Sequence, residues 1–395
     1  MWAIGAGHGM THAYSAAFYL LLPFLAKDLG LSYAQVGLIV SLRQLMSTLV
    51  NLPAGAVVDT LGRRSLFMSV SLAWASLPYL VVGLTSSYAV ILLAVGVVGL
   101  GSFLWHPAAI TALSEMYPDR RGYGLALHEL GANLGDTLTP LAAGFLLAAL
   151  NWRQVMLIIV AAGLLLTLLI TRVMAHAHRR YGGRAERGPT VKDYLAGLAL
   201  LARNGRLLAL AMISGVRAMT QIGLSTFLPL YLLNAQHLSP ALIGIYLAVV
   251  QGSGMIATPI AGTLSDRIGP KRVATVGMFS TSVVLVGFAA LNLGAAFVAA
   301  LAVLGFFTYS MRPAIFRWAL GVVPREYEGT TVGILFTTQA LLPTAMPLIG
   351  GYLGDRYGLL SIFYVIAATV LVANVAVLFV PDVKRPAAVP EAAGN

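Results

Sequence analysis

Long apolar stretches alternate with short polar breaks along almost the whole chain. They fall at 3–27, 34–58, 65–84, 88–112, 123–149, 153–174, 207–234, 240–264, 273–291, 295–321, 330–353 and 360–380. A helix needs about 20 apolar residues to cross the hydrocarbon core of a bilayer, so each stretch predicts one span. One break, roughly 175–205 and containing HAHRRYGGRAERGPTVKDY, is longer, basic and glycine-containing. It divides the chain into a six-helix bundle over 1–174, a linker over 175–205, a second six-helix bundle over 206–381 and a tail over 382–395. The pattern predicts an all-α membrane protein of twelve transmembrane helices in two bundles.

Composition narrows the function classes. Of 395 residues, 58% are hydrophobic and 10% charged, whereas soluble domains carry about 25% charged residues. That excludes a cytosolic enzyme and a nucleic-acid-binding module. The net charge of +11 reads as topology: 18 Lys and Arg fall in segments on the side of the two termini, against Lys27, Arg153 and Arg356 on the other. Basic loops stay cytoplasmic, so both termini are expected in the cytoplasm, with the chain in a bacterial inner membrane. The chain has no cysteine, which removes disulfides, thiol chemistry and Cys-ligated metal. Its first apolar stretch has no basic leader and no small-residue cleavage site, and reads as an uncleaved span.

The halves repeat at an offset of about 207 residues. GAVVDTLGRR at 55–64 matches GTLSDRIGPKR at 262–272, and Ser32, Gly37 and Gln44 fall on Ser239, Gly244 and Gln251. HPAAITALSEMYP at 106–118 falls on RPAIFRWALGVVP at 312–324, and HGMTH at 8–12 matches RAMTQ at 217–221. Such a parallel repeat is the architecture of a rocking-bundle transporter, with a site between the halves near the midplane.

These residues resemble the major facilitator superfamily over nearly the whole chain. Gly55, Asp59, Gly62, Arg63 and Arg64 stand where that family carries its G-x-x-x-D-x-x-G-R-R/K loop between helices 2 and 3. Asp266, Arg267 and Lys271 belong to the degenerate copy between helices 8 and 9. The resemblance implies two pseudo-symmetric bundles, and an Asp59 that latches the outward-open state against the N-terminus of helix 11, near Thr330. The physics fits, because a carboxylate is favoured at a helix N-terminus. A closer likeness is to the fosmidomycin-resistance-like, drug-exporting branch. It rests on a His-Pro pair, a basic loop and a glycine-rich helix 5 within 105–144. That branch usually follows its first-helix His with an Asn-Asp pair. Here His8 is followed by Thr11 and His12, which removes an acid from helix 1. Gly131, Gly135, Pro140 and Gly144 resemble an antiporter motif of helix 5 and equally suit close helix packing.

Ionisable residues inside spans are costly and mark functional candidates. Glu129 and Asp136 lie seven apart on helix 5, hence on one face, and are the candidates for proton coupling. His8 and His12, four apart on helix 1, share a face. His106 precedes Pro107, where a mid-helix proline would free a backbone carbonyl. His128 reads as packing. Arg43, Arg217 and Arg312 lie deep, with Arg217 at the repeat position of His8 and Arg312 at that of His106. Guanidinium forks suit carboxylate or phosphonate oxygens, unless each arginine is paired with an acid of its own. Arg317 lies nearer a span end and is placed to snorkel. Gln44, Asn133 and Gln221 add hydrogen-bonding capacity. The expected substrate site is therefore His8, His12, Arg43, Gln44, His106, Asn133, Arg217, Gln221 and Arg312, for an anionic or zwitterionic small molecule.

The expected function is proton-coupled secondary transport, exporting a small organic anion or amphiphilic drug by alternating access. An importer or exchanger is the alternative within transport, and a transporter-like sensor or scaffold the alternative outside it. No enzymatic constellation or cofactor motif is present; the spacing of His8 and His12 also suits a metal pair if Glu129 or Asp136 converges on them, but no HExxH or Cys/His cluster accompanies it. The expected partners are the substrate, protons and the bilayer, with a monomeric chain and no nucleic acid.

Overall fold

The computed structural model describes residues 1–61, 64–101, 104–181, 200–288, 294–324 and 327–382, with side chains left aside at 51–61 and 175–181. The first half holds α1 (Trp2–Leu29), α2 (Tyr33–Leu61), α3 (Arg64–Leu84), α4 (Tyr88–Gly101), α5 (Trp105–Met116), α6 (Arg121–Leu146) and α7 (Trp152–Tyr181). The second holds α8 (Gly205–Asn234), α9 (Pro240–Ile268), α10 (Pro270–Gly287), α11 (Ala295–Gly321), α12 (Glu328–Leu341), α13 (Ala345–Tyr357) and α14 (Leu359–Phe379).

Two of the twelve expected spans cover more than one described helix, and in the first of them residues 102–103, between the helices, lie outside the described residues. The fourth is α4 followed by α5, and the eleventh is α12 and α13 joined by a 3₁₀ turn, Leu342–Thr344, that carries Pro343. Pro107 consequently lies in the first turn of α5. Phe103, whose carbonyl a mid-helix proline would free, lies outside the described residues.

Among the described residues, α3, α7, α8, α9, α11 and α14, together with the stretches covering α4–α5 and α12–α13, are long and apolar enough to cross a membrane. The helices that fall short are informative. Of these, α1, α2 and α6 carry His8, His12, Arg43, Gln44, Glu129 and Asp136.

The halves meet along two seams at the end of the bundle away from the termini. In one, Gly37 of α2 lies against the backbone of Pro347, and a Cβ at Gly351 of α13 would stand 2.8 Å from Ala34 Cα. In the other, Gly244 of α9 lies against the Pro140 carbonyl, and a Cβ at Gly144 of α6 would stand 2.8 Å from the Pro240 carbonyl oxygen. Glycine permits this backbone-to-backbone approach. The pairs correspond at the repeat offset: 37 with 244, 140 with 347, 144 with 351. Hydrogen bonds that cross between the halves lie at this end or midway along the helices, as in Ser41 Oγ to the Thr344 carbonyl (2.7 Å) and Asn234 Nδ2 to Tyr33 Oη (3.3 Å).

Candidate functional site

The site begins with a glycine contact. A Cβ at Gly5 of α1 would lie 2.9 Å from the Leu127 carbonyl oxygen, and one at Gly9 2.9 Å from that of Gly131. Gly131 and Gly135 of α6 press in turn on the carbonyls of Gly5 and Gly9. The open question about the helix 5 glycines is thereby answered in packing terms: Gly131 and Gly135 seat α1, and Gly144 seats α9. With no side chains between them, α1 and α6 bring their polar groups into direct contact.

His8 is at the centre, 1% exposed. Its ring stacks on His128 at 3.6 Å, its Nδ1 is 2.7 Å from the His128 carbonyl oxygen, and its Nε2 is 3.1 Å from His106 Nε2. Two one-way groups assign the protons. A carbonyl only accepts, so His8 Nδ1 donates. The Trp105 indole only donates, so His128 Nε2 accepts from Trp105 Nε1 at 3.2 Å. In neutral rings, His8 Nε2 is then the acceptor and His106 Nε2 the donor. His128 is 1% exposed and fills a packing role, while its Nδ1 also comes within 3.9 Å of Glu129 Oε1.

His12 Nδ1 is 2.8 Å from Asp136 Oδ2. The acid that the sequence lacks on helix 1 thus returns from α6, two turns beyond Glu129. Both groups are partly open, at 33% and 23% side-chain exposure. Glu129 is more open still, at 61%.

The facing half is built from arginines and amides. Arg217, 3% exposed, donates from Nη1 to Gln221 Oε1 (3.0 Å) and from Nη2 to Gln339 Oε1 (3.1 Å). Its Nε and the Gln339 Nε2 are buried donors without an acceptor among the described residues. Tyr309 Oη donates to Gln251 Oε1. Arg312 is exposed on α11, its guanidinium 5.8 Å from the Phe316 ring centre, and it acts electrostatically across the gap on His12, His106 and Glu129. Arg43 donates to Ser15 Oγ at 2.5 Å and lies 5.6 Å from both the Phe18 and Tyr19 ring centres. Among the described residues no carboxylate comes within ion-pair distance of Arg43, Arg217 or Arg312. Their contacts are hydroxyls, amide oxygens and aromatic faces.

Between the halves lies a cavity of about 50 Å³ lined by Tyr19, Gln221, Gln251, Thr308, Tyr309 and leucines of α8 and α9. That is room for a few waters. Gln221 is the expected substrate residue that lines it, while Gln44 and Asn133 are half-buried outside its lining.

One nitrogen from each of His8, His12 and His106 lies within 4.8 Å of the others, and His8, His128 and Glu129 form a second such group. Imidazoles at this spacing suit a transition metal. Here, however, His8 Nε2 already takes a proton from His106, and Arg312 adds positive potential to His12 and His106. In the first group His8 and His106 are hydrogen-bonded to each other, and His12 bonds Asp136 instead.

Of the expected gating residues, Gly62 and Arg63 lie outside the described residues, as do the side-chain surroundings of Gly55 and Asp59. Arg64 pairs with Glu115 of α5, and Asp266 with Arg317 of α11, so Arg317 has an acid partner and does not simply snorkel. Lys271 Nζ donates to the carbonyls of Leu378 (2.8 Å) and Val380 (2.9 Å) at the end of α14. These contacts tie helices together within a half. The sequence reading missed Asp355, whose carboxylate bonds the start of α2. The missed signal is Gly351-x-x-x-Asp355-x-x-Gly358, with the same spacing as Gly55, Asp59 and Gly62.

The sequence profile of the Major Facilitator Superfamily matches residues 4–295 and, in a second copy, 210–395. The chain belongs to the major facilitator superfamily. It is a secondary transporter by family, and not an enzyme. It is 24% identical to a probable sulfoacetate transporter of Cupriavidus necator, over 91% of this chain and 87% of that one. It is 23% identical to the fosmidomycin resistance protein of Escherichia coli, over 96% of this chain and 92% of that one. Its fold is similar to that of a bacterial homologue of the human lysosomal transporter Spinster in an inward-facing, occupied conformation, with a TM-score of 0.81 at 16% identity, covering 96% and 95% of the two chains.

Proposed function

We propose that this facilitator is a proton-coupled exporter of a small organic anion or an amphiphilic anionic drug, acting as a monomer in a bacterial inner membrane. One observation carries the substrate class: Arg43 and Arg217, buried in the bundle, and Arg312, exposed on α11, have no carboxylate partner among the described residues. Intramembrane arginine is expensive, and Arg217 and Gln339 keep buried donors unused. An oxyanion entering between the halves supplies the missing acceptors and charge. Sulfoacetate, named for one relative, is an anion of the kind such a site would hold.

Proton coupling is assigned to Asp136 and Glu129. Asp136 shares His12, so uptake of a proton at the carboxylate releases the imidazole toward the cavity, and loss of it restores the pair. With both termini cytoplasmic, as the distribution of Lys and Arg argues, the seams close the outer end and the site faces inward, the loading position for an exporter.

The test is proton flux in proteoliposomes under an imposed pH gradient, read by an internal pH dye. Sulfoacetate, phosphonates, carboxylates and lipophilic cations are added in turn. Anion-triggered flux that is lost in Asp136→Asn or Glu129→Gln is expected. Flux with cations alone would overturn the substrate class. Anion movement down its own gradient without protons would overturn the coupling.

A further inference from the structure

The two seams share their glycines but not their polar chemistry. At the first, α2 begins at Tyr33 with every early N–H satisfied. Ser32 N–H goes to Gln35 Oε1 (2.9 Å) and Gln35 N–H to Ser32 Oγ (3.2 Å), a reciprocal capping box inside α2. Between them, the N–H groups of Tyr33 and Ala34 donate to Oδ1 and Oδ2 of Asp355, at 2.8 and 2.9 Å. Asp355 stands in the last turn of α13, in the other half of the molecule. The first N–H groups of a helix have no partners within it, and the aligned peptide dipoles make that end positive. A carboxylate holding two of those donors is therefore a charge-assisted bridge between the halves.

At the second seam the position equivalent to Asp355 is Ala148, and α9 opens with Pro240 where α2 has Tyr33. Proline has no N–H to offer. Ser239 Oγ already takes the Leu242 N–H at 3.4 Å. This seam has neither the acid nor the first donor such an acid would need.

We infer that Asp355 is a gating residue of the transport cycle: one half uses it to hold a helix of the other, and its two hydrogen bonds must break each time this end opens. The Ser32–Gln35 box lies wholly within α2 and survives opening, so Asp355 supplies the part of the cap that senses the gate. The motif at 351–358 repeats the spacing at 55–62 and 262–269, but at the opposite end of the bundle. Loss of an N-cap acceptor shifts a helix equilibrium by about five- to tenfold. Removing Asp355 should change the open-to-closed ratio by that factor.

The experiment uses the full chain in nanodiscs, without substrate. Nitroxides are placed through Leu84→Cys and His237→Cys, exposed positions of the two halves at the seam end, and distances between them are measured by pulsed electron resonance. The chain has no cysteine of its own, so labelling is confined to these sites. Asp355→Ala is expected to raise the long-distance population about five- to tenfold relative to the short one. Asp355→Asn, which keeps an acceptor oxygen, should fall between. An Asp355→Ala distribution identical to that of the parent overturns the inference. If Asp355→Ala fails to fold, a graft decides instead: Ala148→Asp with Pro240→Ala gives the second seam both acid and donor. It should deplete the long-distance population by a similar factor, and no depletion overturns the inference.

Discussion

The two halves carry different chemistry at equivalent positions, although the repeat sets them in register. His8 stands opposite Arg217 in the repeat, and His106 opposite Arg312. The first face joins four histidines to Asp136 and Glu129, groups whose charge changes with proton uptake. The second joins Arg217 to Gln221 and Gln339 and Tyr309 to Gln251, with Arg312 beside Phe316, and the arginines keep a fixed charge. A duplicated bundle has kept its backbone symmetry and divided its side-chain labour. On the proposed mechanism, one half handles protons and the other grips the anion.

The largest effect that would break this division is expected at Arg312. It is exposed on α11 and has no carboxylate partner among the described residues, so Arg312→Gln should lower kcat/KM for an anionic substrate by about 10- to 100-fold. Arg312→Lys should recover part of the loss, measured as transport in proteoliposomes. Equal activity in all three proteins would remove the second half from anion recognition.

Next comes Asp136→Asn. It should reduce gradient-driven flux by about tenfold, the lower range for a lost acid–base group, while substrate-for-substrate exchange persists. Loss of exchange as well would mean that the first half also carries the anion, and the division would fail.

Gln339→Leu sharpens the comparison from the second face. It strips the acceptor from Arg217 Nη2 inside the bundle and should cost about 1–3 kcal/mol of stability, seen as a lower midpoint of thermal unfolding in detergent. The smallest effect is expected from Trp105→Phe, which removes the indole donor to His128 and should cost about 0.5–1.5 kcal/mol. Its diagnostic readout is nitrogen NMR of labelled histidine, where the His128 tautomer preference should relax while that of His8, set by a backbone carbonyl, is retained.

Much of this was legible in the sequence. Span positions follow from apolar length, and the repeat located the equivalent His and Arg positions. The interruption between α12 and α13 was not legible, because they read as one continuous apolar run and the 3₁₀ turn at Leu342–Thr344 is a backbone event. The pairing of His12 with Asp136 was hidden for another reason: the residues are 124 apart in the chain, and only the glycine contact between α1 and α6 brings them together. Asp355 was overlooked as one exposed charge among several at helix ends. Its significance depends on a donor pair in the other half that no local pattern reveals.

The contact between α1 and α6 has a consequence for how any motion here is transmitted. Where two helices meet backbone to backbone, glycine against carbonyl, little side-chain bulk is left between them to repack. They behave as a single stiff plate carrying the imidazoles and carboxylates at fixed spacing. The variable in the cycle is then the approach of the opposite half to that plate. A methyl group at Gly131 or Gly135 would act as a shim, tilting the plate and detuning His12 from Asp136 without touching either.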